Sequence, residues 1–200
     1  MIMQTIELKK QGLTIKFSDL CQNIYRVYEL ADETQGDDWY FETNAIAQAW
    51  AEKFEVSLSK VCAIISACSI NSGWNQNLKN AELFLDTGKI RGLGVIQRKC
   101  DAIMSNKPIS EVLSTDKLNN FYWNIFKPDL FEHVTIDRHA TAIAYFGRRE
   151  TDFPKPTTKR YSLIAEAYKK VAENLGLIPQ QLQAITWVAY RNEANLSYLG

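Results

Sequence analysis

Val134-Thr135-Ile136-Asp137-Arg138-His139-Ala140 is the segment whose residue types and order suit chemistry best. Two apolar residues bury the approach, a carboxylate follows, then Arg138 and His139, then a run of small residues from Ala140 to Ala144. That order puts Asp137 at a helix N-terminus. Free backbone N–H groups and the helix dipole stabilise negative charge there. A fixed carboxylate can stabilise an oxocarbenium-like sugar, as carboxylates do in glycoside hydrolysis. A plainer role is open to the same residue, because Asp is a favoured N-cap whatever else it does. Arg138 can meet a phosphate or pair with an exposed acid, and His139, two residues into the helix, can be a core histidine.

Other residues suit the handling of a nucleobase. In Asn119-Asn120-Phe121-Tyr122-Trp123-Asn124 aromatics alternate with amides. An extruded base needs an aromatic face to stack on and amide-like groups to read its edge, so Asn120 and Tyr122 are candidates. The turn Ile70-Asn71-Ser72-Gly73 precedes Trp74 and Asn77, and Asn71, Trp74 and Asn77 can line a base pocket. Gln183, Trp187 and Arg191 recur at four-residue spacing on one helix face, with Arg191 able to reach a phosphate or a carboxylate. Each also has a structural reading: Trp74 and Trp187 as packing anchors, Phe121 and Trp123 as the buried face of an amphipathic helix.

These residues need elements to hold them. Alternating apolar and polar residues over 5–17, on both sides of Gly12, predict a short β-hairpin. Helical spacing dominates the rest. Ser18 is the expected cap of a helix carrying Leu20, Ile24, Val27 and Tyr28, and a second helix runs to about Phe54. Ser57 is expected to cap a third helix, apolar nearly all round and therefore central. Further helices are expected over Trp74–Leu85, Val95–Met104, Ser110–Leu113, Asp116–Phe126, Asp137–Phe146, Thr158–Leu175 and Pro179–Glu193. Gly176 sits where a C-cap glycine belongs and Pro179 suits a first helical turn. The expected fold class is all-α, with two helical lobes, a cleft between them and a small N-terminal β-hairpin. The central lobe spans 37–130, and residues 1–36 plus 131–200 build the second.

Composition narrows the function classes. The 200 residues are 46% apolar and 23% charged, which argues against intrinsic disorder. Lys plus Arg equals Asp plus Glu at 23 each, so no overall basic field attracts nucleic acid. Charge is segregated nonetheless: residues 29–55 carry eight acids against one base, and residues 138–170 carry eight bases against three acids. The basic region can face phosphates. Cys21, Cys62, Cys68 and Cys100 form no CxxC pair and only His133 and His139 could assist them, so neither zinc nor an iron–sulfur cluster is expected. No cofactor is expected at all. Gly92-Leu93-Gly94 lacks the third glycine of a dinucleotide fingerprint, and Ser57-Leu58-Ser59-Lys60 stands without the companion motifs of a penicillin-binding site. No apolar stretch is long enough to span a membrane, and the N-terminus lacks a signal peptide's order, so a cytoplasmic protein is expected.

The segment VTIDRHATAIA resembles the one ending in VDxHxxR in the helix-hairpin-helix-GPD superfamily of DNA base-excision glycosylases, typified by endonuclease III. The upstream stretch Lys60–Leu85 is similar to that family's early helix–turn–helix, with Ser66-Ala67 and Asn77 at matching places. The resemblance covers residues 57–150 or so. It implies that Asp137 is the catalytic aspartate, that His139 is the family's neighbouring histidine, and that Lys117 stands near the lysine that attacks the sugar in bifunctional members. It implies DNA as partner, no membrane, and a glycosylase that flips a base, modified or not, and acts at its N-glycosidic bond. A protein partner is left open but is not indicated by the sequence. Three departures stand out. Leu113-Ser114-Thr115-Asp116-Lys117 replaces a glycine-rich phosphate-gripping hairpin, Cys68 replaces a duplex-inserting glutamine, and iron–sulfur cysteines are missing.

The chain is also similar to small phage-encoded relatives, which places it in a host cytoplasm. Some of those join an amino acid or amine to a modified pyrimidine, the alternative activity implied here. A non-catalytic nucleic-acid- or protein-binding module is the other alternative.

Overall fold

The structure is a computed structural model that describes residues 5–8, 13–32, 35–90, 92–146 and 153–192. The hairpin turn expected around Gly12 and the basic residues Arg148 and Arg149 lie outside them. Ten helices and one antiparallel hairpin make up the regular structure of the described residues, an all-α fold with a small N-terminal β-hairpin. The chain divides into two compact units, Met1–Trp39 with Asp129–Gly200, and Tyr40–Pro128. No helix among the described residues is long and apolar enough to cross a membrane.

The first unit begins with the hairpin, β1 (Thr5–Leu8) and β2 (Leu13–Lys16), in a register that pairs Ile6 with Ile15. The two-residue period of a strand turns Ile6, Leu8 and Ile15 into the core and leaves Thr5, Glu7 and Thr14 outside. Helix α1 (Phe17–Glu29) follows without a loop. Its N-cap is Lys16 and not the expected Ser18, because the Asp19 carboxylate accepts the Lys16 backbone N–H at 2.9 Å and moves the helix start upstream. Leu20, Ile24 and Val27 follow at helical spacing and are fully enclosed. They pack with α8 (Arg138–Ala144), α9 (Thr158–Leu175) and α10 (Pro179–Asn192), each of which touches α1. Tyr161, Ile164, Ala165, Tyr168, Val171 and Ala172 form the buried stripe of α9. That helix ends at Gly176, whose φ of +70° is the left-handed conformation a C-cap glycine supplies.

Gly36 ties the loop before Trp39 to α10. Its φ is +91°, and a Cβ there would stand 2.9 Å from the Ala184 carbonyl oxygen and 3.0 Å from a Val188 methyl group. The loop therefore lies on the helix backbone only because position 36 has no side chain. Gly36→Ala should destabilise the protein by about 1–3 kcal/mol, read as a lower midpoint in denaturant, since both the dihedral and the contact oppose it.

The second unit is built from the rest of α2 (Trp39–Lys53), then α3 (Leu58–Cys68), α4 (Trp74–Thr87), α5 (Gly94–Met104), α6 (Ile109–Val112) and α7 (Asp116–Phe126). Every residue of α3 from Val61 to Cys68 is buried, and α4, α5 and α7 all pack on it. An apolar circumference has that result: a helix with no polar face must be surrounded. Ser57 holds the N-cap position of α3 without a side-chain hydrogen bond. Elsewhere polar side chains close helix ends. Asn44 Nδ2 donates to the Ile125 carbonyl at 2.8 Å, Lys60 donates to the Met104 carbonyl at 3.3 Å, and Lys99 donates to the Val112 carbonyl.

Cys62, Cys68 and Cys100 are fully enclosed in this unit and all four thiols are free. Burial pushes the Cys62 thiol up to about 12, and a hydrogen bond with Cys68 together with burial raises that of Cys100. Thiolate is the reactive form, so these groups are inert while the protein is folded. A disulfide-exchange reagent should therefore titrate at most one thiol in the native protein, the half-buried Cys21, and four in denaturant.

Candidate functional site

Asp137 is placed by the elements on either side of it. Before it, Val134, Thr135 and Ile136 are buried and belong to no helix or strand. The Tyr161 hydroxyl, from α9, donates to the Val134 carbonyl at 2.8 Å and accepts the Ile136 N–H at 3.0 Å. After it, α8 begins with Asp137 as N-cap, in extended conformation, its Oδ1 accepting the Ala140 N–H at 2.8 Å. The Asp137 carbonyl accepts from Thr141, both from its N–H at 3.0 Å and from its hydroxyl at 2.8 Å. At the other end of α8, Asn23 Nδ2 donates to the Ala144 carbonyl at 3.0 Å. Asp137 itself is half-buried and Arg138 is exposed.

His139 turns its ring edge-on to two aromatics of α10. Its centroid lies 6.0 Å from that of Trp187 and 5.9 Å from that of Tyr190, with interplanar angles of 84° and 70°. The Arg191 guanidinium carbon stands 4.7 Å from the Trp187 ring centroid, a cation–π contact across one helical turn. Trp39 lies against Trp187 as well, at 6.0 Å. The first unit thus brings Asp137 and Arg138 to one short helix with His139, and joins His139 to Trp187, against whose ring Arg191 lies. Trp39 and Tyr161 have no place among the sequence candidates. The signal for Tyr161 is visible in retrospect: a phenol on the buried stripe of a helix needs a hydrogen-bond partner away from water.

The remaining candidates lie in the second unit. Lys117 is in the first turn of α7 and its ammonium donates to the Ser69 carbonyl at 3.4 Å, at the C-terminal end of α3. Positive charge there complements the helix dipole. Thr115 caps α7, its hydroxyl oxygen accepting the Leu118 N–H at 3.4 Å. Asn120 is half-buried and donates back to the Asp116 carbonyl of its own helix at 2.8 Å. Tyr122 is buried; its hydroxyl shares a hydrogen bond with Ser59 at 3.0 Å, and its ring stacks on Phe126 and meets Trp123 edge-on. Burial raises its pKa. The aromatic surface of Tyr122 is thus taken up by packing. Asn71 is exposed in the left-handed conformation, with φ of +52°, and Trp74 is half-buried. Asn77 is buried in α4, and its Oδ1 meets no hydrogen-bond partner among the described residues. Among the described residues no group of three or more His, Cys, Asp or Glu could hold a metal ion.

Fold and site together define an all-α protein with an N-terminal hairpin and a carboxylate fixed at the head of a short buried helix. The chain belongs to the Family of unknown function (DUF7178), whose model matches residues 5–194. No curated protein and no solved structure matches it.

Proposed function

We propose that this protein extrudes a nucleobase, ordinary or modified, from DNA and hydrolyses its N-glycosidic bond with the help of Asp137. The observation that carries the reading is the carboxylate itself, held from both sides at the start of α8. Oδ1 is committed to the Ala140 N–H, so Oδ2 is the oxygen assigned to the sugar. As the bond from C1′ to the base nitrogen breaks, the base leaves with the electron pair and positive charge grows on the sugar ring. The carboxylate stabilises that charge, water adds its oxygen to C1′, and the proton it loses ends on the departing base. Arg138 and Arg191, both exposed on this unit, supply positive charge for the phosphates on either side. No step is assigned to Lys117, whose ammonium already serves the end of α3.

Mass spectrometry of free bases and digested nucleosides tests the reading. DNA of ordinary and of hypermodified pyrimidine content is incubated with the protein. Release of a free base is the expected result, and it identifies the substrate. A heavier nucleoside without free base would replace hydrolysis by transfer of an amine-bearing group to a modified pyrimidine. No change in any DNA would overturn both enzymatic readings and leave a binding module.

A further inference from the structure

The geometry points to Tyr161 as the residue that positions Asp137, acting through the backbone that leads into it; this rests on the role proposed for Asp137 above. Tyr161 closes the first turn of α9 and is 7% exposed. Its hydroxyl makes two backbone hydrogen bonds, to Val134 O at 2.8 Å and from Ile136 N at 3.0 Å. A backbone N–H can only donate, so the phenol must accept from Ile136 and give its single proton to Val134. The polarity of the pair is therefore fixed.

The two backbone groups flank Thr135 in a buried stretch that pairs with no strand among the described residues. Buried backbone groups need partners, and here one side chain serves both. The clamp ends at Ile136, so only the rotations of Asp137 itself separate it from the carboxylate. Beyond the carboxylate, the Ala140 N–H holds Oδ1. Phenylalanine at 161 would fill the same space and leave the Val134 carbonyl and the Ile136 N–H without their phenol partner. The segment would then drift, and a carboxylate displaced by 1 Å loses on the order of 100-fold in rate.

Tyr161→Phe tests this beside Tyr168→Phe. The latter removes another buried hydroxyl from α9, one that lies 3.5 Å from the Thr186 hydroxyl. Two readouts are taken: amide hydrogen exchange at Ile136 and Ala140, and kcat and KM on whichever DNA the wild type converts. In Tyr161→Phe, protection at both amides should fall about tenfold and kcat about tenfold or more, with KM unchanged. Tyr168→Phe should change neither. Wild-type kcat in Tyr161→Phe, or an equal loss in both variants, would overturn the positioning role. If the wild type converts no DNA, the role of Asp137 fails, and exchange decides the clamp by itself: unchanged protection at Ile136 overturns it. Should Tyr161→Phe not fold, the wild type still answers. Its Tyr161 hydroxyl proton should exchange slowly enough to give its own resonance, with a cross-relaxation peak to the Ile136 amide proton, and absence of that peak overturns the clamp.

Discussion

On the proposed mechanism, Asp137→Asn should leave the protein folded and cut its turnover steeply. The amide oxygen of Asn can accept the Ala140 N–H where Oδ1 now does, and Asn caps helices about as well as Asp. Thermal stability should therefore stay close to that of the wild type. On the proposed mechanism, what disappears is the negative charge that stabilises the sugar. Removing one preorganised electrostatic contact of this kind costs a factor of about 10²–10³ in kcat. Asp137→Ala completes the comparison. It loses the charge and the cap together, so turnover falls equally while stability drops by about 1 kcal/mol. Product formation by mass spectrometry and thermal denaturation, run on both variants, separate cap from chemistry. Full turnover in Asp137→Asn would make Asp137 a helix cap and nothing more.

Ile64→Ala should be among the strongly destabilising truncations in the second unit. Ile64 is fully enclosed in α3, the helix on which α4, α5 and α7 all pack. Deleting three carbons there removes their transfer free energy and leaves a cavity that fixed neighbours cannot fill. The expected loss is about 2–5 kcal/mol. For a chain of this size that lowers the thermal midpoint by about 4–20 °C. Val95→Ala, at a side chain 54% exposed, is the matched control and should stay within about 0.5 kcal/mol of the wild type. Equal midpoints for the two variants would contradict the central placement of α3.

Local pattern carries a long way in this protein. The apolar residues of α1 and α9 recur at helical spacing, and those of β1 alternate, so helix and hairpin are both legible without coordinates. Caps are legible too where the capping group is nearby in sequence. Asp137 reaches the N–H of Ala140, three residues on, and Thr157 that of Arg160, also three residues on. At the start of α1 the same local logic selects the wrong residue, because both Ser18 and Asp19 are good capping types. Which of them bonds is a matter of where β2 delivers the chain.

The candidate site divides along the same line. The amino-acid sequence by itself determined that a carboxylate heads a short helix of small residues, because N-capping is a contact between neighbours in the chain. Only the tertiary structure decided what surrounds it. Tyr161 meets Val134 and Ile136 across 27 and 25 residues, and His139 meets Trp187 across a far longer stretch. Tyr122, whose alternation with amides suits an exposed stacking face, turns inward to Ser59 and Phe126. Lys117 turns its ammonium to the end of α3. Periodicity and capping are set by bonds that span a few residues, whereas the direction a long side chain takes is set by groups distant in sequence: a backbone group needing a partner for Tyr161 and Lys117, a side chain for His139 and Tyr122.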